Sequence, residues 1–179
     1  MRLLLLLSAV ALAAPASAQT FISGHGGGVD FDLAGTGQTA VFELRIGRFM
    51  SRYVALEGGL GVSDVPEQFG GVFYVLPSLE VQFGVPIRDR VRPYVGVGVG
   101  SLLPIGDPRP GLDELQRPGF RVDYDPPSRA SINVGVGADL GIAPDLAARF
   151  SGRLRATGRN VTEFSGTFSE VTLGIGVRL

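Results

Sequence analysis

The sequence has no cysteine, no lysine and no tryptophan, and its only histidine is His25. Without cysteine, no disulfide can hold the fold. Its 16 basic residues, all arginine, face 17 acidic ones, and this near balance gives no electrostatic case for nucleic-acid binding. After residue 18, no stretch is long and apolar enough for a membrane-spanning helix. Hydrophobic residues still make up 45% of the chain, which excludes a low-complexity or disordered protein.

The first 18 residues have the pattern of a cleaved export signal. Arg2 provides the charged start, residues 3–14 are almost wholly apolar, and Ala16-Ser17-Ala18 matches the A-x-A cleavage site. The apolar run is shorter than the roughly 20 residues that a spanning helix needs. We therefore expect a signal peptide over 1–18 and a single mature domain over 19–179.

The mature chain contains eight segments in which apolar and small or polar residues alternate. The last one is the clearest, because every odd position from Val171 to Leu179 is apolar. Alternation with a period of two predicts β-strands. The eight predicted strands are Thr20–Phe31, Thr39–Phe49, Tyr53–Val62, Val72–Phe83, Val91–Leu102, Ser131–Ile142, Leu146–Ala156 and Thr167–Leu179.

The connections between these strands alternate in length. The three short ones are 50–52, 84–90 and 143–145, and the four longer ones are 32–38, 63–71, 103–130 and 157–166. An eight-stranded antiparallel up-and-down barrel that crosses a membrane has short turns at its periplasmic end and long loops at its outer end. The sequence thus predicts an all-β transmembrane barrel with both termini at the periplasmic side.

Charge is confined to one face of the predicted strands, and the two signs are balanced there. The acids on this face are Glu43, Glu57, Glu80, Asp139 and Glu170, and the bases are Arg45, Arg149, Arg153, Arg155 and Arg178. In a membrane barrel this face lines the interior, where opposite charges must pair. A soluble periplasmic barrel, similar to a lipocalin carrier, would turn the same face to water, and this alternative stays open at the level of pattern.

Three segments carry a family resemblance: Leu56-Glu57-Gly58-Gly59-Leu60-Gly61, the Gly-rich run Pro93–Gly100, and the C-terminal strand. With them the mature chain resembles the small outer-membrane β-barrel superfamily, which includes the transmembrane domain of outer membrane protein A. The resemblance implies a place in the outer membrane of a Gram-negative envelope, in contact with outer-membrane lipid. It also implies assembly by the barrel-insertion machinery, whose signal the C-terminal strand resembles, although Leu179 stands where the family usually has an aromatic residue.

No catalytic, cofactor or metal site is predicted. His25 and Ser23 share strand parity, but no third group that would orient a nucleophilic pair is identifiable. The glycines from Gly24 to Gly28 lack the Lys-Ser/Thr ending of a phosphate-binding loop. Asp123 and Asp125 lack the further ligands of a calcium loop.

The proline-rich segment 103–130 is the strongest candidate for a specific role, because loops of this length are usually functional or disordered. We expect it either to bind an extracellular partner or to be a surface loop without one. The pattern favours a non-enzymatic outer-membrane protein with a structural or surface-interaction role. The alternatives are a lipid-modifying outer-membrane enzyme and the soluble carrier, and a pore is disfavoured because eight strands enclose too little space.

Overall fold

The computed structural model describes residues 19–31, 38–64, 73–87, 90–105, 128–160 and 163–179. The predicted signal peptide and most of the 103–130 segment lie outside these residues. The eight strands are β1 Thr20–Phe31, β2 Gln38–Phe49, β3 Val54–Asp64, β4 Phe73–Gly84, β5 Val91–Ile105, β6 Arg129–Ala143, β7 Leu146–Asn160 and β8 Glu163–Arg178. Among the described residues, no helix is long and apolar enough to cross a membrane.

The strands close into one barrel. Each strand pairs antiparallel with the next along the chain, and β1 pairs antiparallel with β8, so that Phe21 lies opposite Arg178 and Phe31 opposite Phe168. Closure leaves no edge strand along the barrel wall, which satisfies the backbone polar groups without water. The predicted all-β eight-stranded antiparallel barrel is confirmed.

Two of the predicted loops are shorter in the structure than the sequence pattern indicated. β5 continues to Ile105 and β6 begins at Arg129, so both strands enter the segment predicted as the 103–130 loop. The predicted loop 157–166 is wrong, because β7 and β8 extend to Asn160 and Glu163 and only two residues separate them. Backbone pairing continues there through irregular registers around Gly158, where side-chain alternation is lost.

The three connections that were predicted to be short lie at one end of the barrel, which we call the turn end; the opposite end is the loop end. At the turn end the backbone N–H of Met50 donates to the carbonyl of Val54 at 2.9 Å, and that of Ile87 donates to Val91 at 2.6 Å. The third turn consists of residues 144 and 145. These connections are short as predicted, but the two-residue connection between β7 and β8 at the loop end departs from the predicted sorting by length.

The barrel is apolar outside and charged inside. Phe42 and Leu173, which point outward, are 70% and 64% exposed, whereas the inward Arg45 and Glu57 are 0% and 1% exposed. A protein in water would bury the first pair and expose the second. This arrangement suits a barrel surrounded by lipid, and it removes the soluble carrier as an interpretation.

Candidate functional site: the charged barrel interior

The middle of the barrel is filled with ionisable side chains. Nine of the ten charged residues predicted for this face lie inside and are at most 4% exposed. These nine are Glu43, Glu57, Glu80, Asp139, Glu170, Arg45, Arg149, Arg153 and Arg155. Charges removed from water are costly unless each has a partner, so their pairing decides whether the interior is stable.

Arg153 is the centre of this charged layer. Its guanidinium reaches carboxylates from four other strands: Glu43 at 2.9 Å, Glu57 at 3.3 Å, Glu80 at 3.1 Å and Glu170 at 3.3 Å. The planar guanidinium of arginine donates hydrogen bonds in several fixed directions at once, whereas the ammonium of lysine has fewer donors and no fixed directions. A single side chain of β7 therefore ties β2, β3, β4 and β8 together across the lumen.

Arg45 and Arg155 complete the layer, with Arg155 on the loop-end side of this centre and Arg45 on the turn-end side. Arg45 forms an ion pair with Glu43 and lies 3.5 Å from Glu170, while Arg155 lies 2.8 Å from Glu170 and 3.4 Å from Glu43. Arg45 also donates to the Thr172 hydroxyl at 2.9 Å. Glu43 and Glu170 are thus each shared by three guanidiniums.

Nearer the turn end, Arg149 forms an ion pair with Glu57 and contacts Asp139 at 2.6 Å. Asp139 also pairs with Arg92 at 3.2 Å. Sequence reasoning missed Arg92, although its parity with Tyr94 on β5 was a signal that could have placed it inside. Arg178, which was predicted for the charged set, lies half-buried at the mouth of the barrel, where its guanidinium stacks over the Phe49 ring at 5.8 Å.

Glycines on the inward face make room for the charged side chains. A Cβ added to Gly135 would lie 3.1 Å from Cγ of Arg153, and one added to Gly96 would collide with the Glu80 carboxylate. At Gly137 the added atom would lie 2.5 Å from the Tyr94 ring. Gly135 thus leaves space for an arginine of β7, whereas Gly96 and Gly137 accommodate Glu80 and Tyr94.

Both ends of the charged layer are covered by apolar and aromatic side chains. At the turn end the rings of Phe21 and Phe49 pack with centroids 5.0 Å apart, and Arg149 stacks on Phe21 at 4.7 Å. A pocket beside them has a volume of about 20 Å³, enough for about one water molecule. The loop end is covered by the buried cluster Val29, Val41, Tyr74, Leu76, Leu102 and Phe168.

His25 points into the barrel, where it is 5% exposed. Its Nε2 lies 2.9 Å from Oγ of Ser23, which is itself 1% exposed. A lipid-modifying site would need this pair at the membrane-facing edge of the wall, but both side chains lie on the inner side. Among the described residues, no group of His, Asp or Glu side chains is arranged to hold a metal ion. Asp123 and Asp125 lie outside the described residues.

Comparison with known proteins gives a family and a set of similar folds. The sequence matches the model of the family described as outer membrane protein beta-barrel domain over residues 3–178. Comparison with curated protein sequences gave no significant match.

Three solved structures illustrate the likeness in fold. Neisserial surface protein A is 11% identical with a TM-score of 0.68, covering 89% of this chain and 97% of that one. OprG from Pseudomonas aeruginosa is 14% identical with a TM-score of 0.63, covering 90% and 96%. The N-terminal β-barrel domain of OprF from Pseudomonas aeruginosa is 17% identical with a TM-score of 0.59, covering 91% and 100%. At such identities the likeness concerns the fold alone.

Proposed function

Because the chain belongs to the outer membrane protein beta-barrel domain family, we propose that it is a non-enzymatic integral protein that contributes to envelope structure or surface interaction. Its residence in the outer membrane of Gram-negative bacteria follows from the family and fold. The observation that carries the proposal is the filled interior, in which paired charges occupy the middle and apolar side chains cover both ends. A barrel whose interior is filled by side chains has its lipid face and its two ends available for interaction.

The position of His25 supports the non-enzymatic part of the proposal. Nucleophilic catalysis requires a base beside an accessible nucleophile, within reach of the substrate. Here the candidate pair, His25 and Ser23, is enclosed by the barrel wall and separated from lipid. A lipid molecule outside the barrel does not reach these atoms unless the wall opens.

Mass spectrometry of lipid A tests this part directly. Lipid A is extracted from cells that express the protein and from cells that carry the His25→Ala variant at equal abundance. We expect identical lipid A masses in both. Loss or gain of an acyl chain that depends on His25 would replace the proposal with the lipid-modifying enzyme.

The loop end is the surface that we propose for interaction. The 103–130 segment is the longest predicted connection of the barrel. The end of β5 at Ile105 and the start of β6 at Arg129, which flank it, lie at the loop end. We propose that it meets an extracellular partner, and that the C-terminal strand is recognised by the barrel-insertion machinery during assembly. Protease added to intact cells should then cut within 107–125. Protection in intact cells with cleavage after lysis would place this segment in the periplasm and contradict the proposed topology.

A further inference from the structure

The outward face of β2 ends on an arginine at the turn end of the barrel. Phe42, Leu44 and Ile46 are 70%, 60% and 56% exposed and point to lipid. Arg48 follows with the same parity and is also exposed. At the end of a lipid-facing strand, an arginine lays its aliphatic stem along the apolar surface and holds its guanidinium at the depth of the lipid headgroups.

The neighbouring turn presents a second guanidinium on an aromatic ring. Cζ of Arg52 lies 4.6 Å from the centroid of Tyr53, whose side chain is 44% exposed. The Ser51 hydroxyl accepts hydrogen bonds from the backbone N–H groups of Tyr53 at 3.2 Å and Val54 at 3.1 Å, which fixes this turn. Tyrosine is typical of the membrane–water interface, and stacking occupies the face of the guanidinium while its N–H donors remain at the edge.

A third exposed arginine, Arg90, precedes β5 at the same end. Its carbonyl accepts a hydrogen bond from the backbone N–H of Gly141 at 2.7 Å, which anchors the backbone against β6. We call Arg48, Arg52, Tyr53 and Arg90 the turn-end rim.

The rim arginines differ from those of the interior in their partners. Five interior arginines form twelve ion pairs, but within the part of the chain that the structure describes no ion pair involves Arg48, Arg52 or Arg90. Asp145 is exposed at this end as well, in the turn between β6 and β7. These three guanidiniums, which have no carboxylate partner among the described residues, leave an excess of positive charge beside the lipid on the β2–β5 side.

We propose that the turn-end rim binds the headgroup phosphates of anionic phospholipids in the leaflet next to the turns. The occupant follows from complementarity: the rim is cationic, it is continuous with the apolar face that contacts acyl chains, and guanidinium binds phosphate through paired N–H donors. A zwitterionic headgroup carries its own cation beside the phosphate. The excess positive charge of the rim therefore favours a headgroup with a net negative charge. This surface is independent of the loop-end role proposed above.

The absence of tryptophan allows a direct test, since one introduced tryptophan is the only one in the protein. Tyr53→Trp places it in the rim and keeps the stack with Arg52. Phe73→Trp is the matched reporter, because Phe73 also points outward, is 49% exposed and begins β4 at the loop end. Both proteins are reconstituted into phosphatidylcholine vesicles with a minor fraction of phosphatidylglycerol in both leaflets, so that insertion direction does not matter. Either lipid is brominated on its acyl chains in turn, to act as a quencher.

At low salt we expect the tryptophan at position 53 to be quenched about twofold more by brominated phosphatidylglycerol than its bulk fraction predicts, because anionic lipid is concentrated around the rim. The tryptophan at position 73 should follow the bulk fraction. Added salt should reduce the excess at position 53, since exposed charges are screened.

Charge variants of the rim complete the experiment. In the Tyr53→Trp background, replacing the three rim arginines by Gln should abolish the excess quenching, whereas replacing them by Lys should retain most of it. Quenching in proportion to bulk composition at position 53 would overturn the proposal. So would an equal excess at position 73, or an excess that survives the three Gln substitutions. Heat-dependent gel mobility verifies that every variant is folded before it is measured.

Discussion

At the residue scale, the contribution of an arginine to the stability of the barrel depends on its burial and on the carboxylates that it pairs with. Arg153 has four carboxylate partners and is 4% exposed, whereas Arg178 stacks on Phe49 at the mouth of the barrel. Removing one member of a buried ionic network leaves the other charges uncompensated in a medium of low polarity. Two residues of the same type on the same inner face should therefore respond very differently to substitution.

Arg153→Ala should destabilise the folded barrel by about 3–5 kcal/mol, because it strands several buried carboxylates. Arg178→Ala should cost less than about 1 kcal/mol, since its guanidinium is only half-buried and screened by solvent. Urea-induced unfolding in lipid vesicles measures both variants. Equal losses of unfolding free energy would show that Arg153 is not the centre of the charged layer.

On the lipid face, introducing a charge is destabilising, whereas in the interior removing one is. Val97 and Val136 point outward and are 49% and 59% exposed. Val97→Arg or Val136→Arg should lower the unfolding free energy by about 2–4 kcal/mol, because a charge near the bilayer midplane must be desolvated. Val97→Leu is the control and should change little. If both Arg variants in vesicles had the unfolding free energy of the wild-type protein, the assignment of this face to lipid would be contradicted.

The residue scale also shows what the sequence can predict about the interior. Strand parity placed nine charged residues inside correctly, because alternation needs only local information. It did not predict the pairs, since Arg153 meets Glu43 and Glu57 across the lumen, at separations of 110 and 96 residues. Those meetings depend on the register of all eight strands. Arg92 was left out of the predicted set although it shares the inward parity of Tyr94, so alternation alone could have placed it inside.

At the element scale, β7 holds the charged layer together. It contributes Arg149, Arg153 and Arg155 at alternate or near-alternate positions, while the acids come from β2, β3, β4, β6 and β8. Three of the five interior arginines lie on this one strand and the anions are distributed over five others, so the network forms only when the barrel closes. The interior is thus satisfied in the complete barrel and costly in an open sheet.

Strand boundaries could be predicted well at the turn end and poorly at the loop end. At the turn end, β2 ends at Phe49 and β7 begins at Leu146, both as predicted. At the loop end β7 and β8 run up to four residues beyond the prediction, to Asn160 and Glu163. Membrane strands alternate because one face meets lipid, and strands that extend past the lipid lose that constraint while keeping their backbone hydrogen bonds.

Deletion of residues 107–125 should leave the barrel intact, because β5 ends at Ile105 and β6 begins at Arg129, outside the deleted segment. The expected result is unchanged heat-dependent gel mobility and unchanged insertion into vesicles. The control is a variant in which the same number of residues is deleted from β5 and β6, and this variant should fail to fold. Failure of the 107–125 deletion to fold would show that the segment braces the barrel.

At the scale of the whole molecule, three layers close the interior. The aromatic pair Phe21 and Phe49 covers the turn end, the ion pairs fill the middle, and the apolar cluster around Leu76 covers the loop end. An eight-stranded barrel is only wide enough for side chains to fill it. The inverted placement of charge made this architecture predictable, because it is a consequence of a lipid surround. The sorting of connections by length was a weaker guide, since it failed between β7 and β8.

Ion conductance tests the filled-barrel account most directly. The purified protein, inserted into a planar bilayer, should give no stable or ion-selective channel, because paired side chains leave no continuous water path through the barrel. A reproducible open channel in the wild-type protein, whose selectivity changes with Arg153→Ala or Glu57→Ala, would contradict the account and make the molecule a small pore.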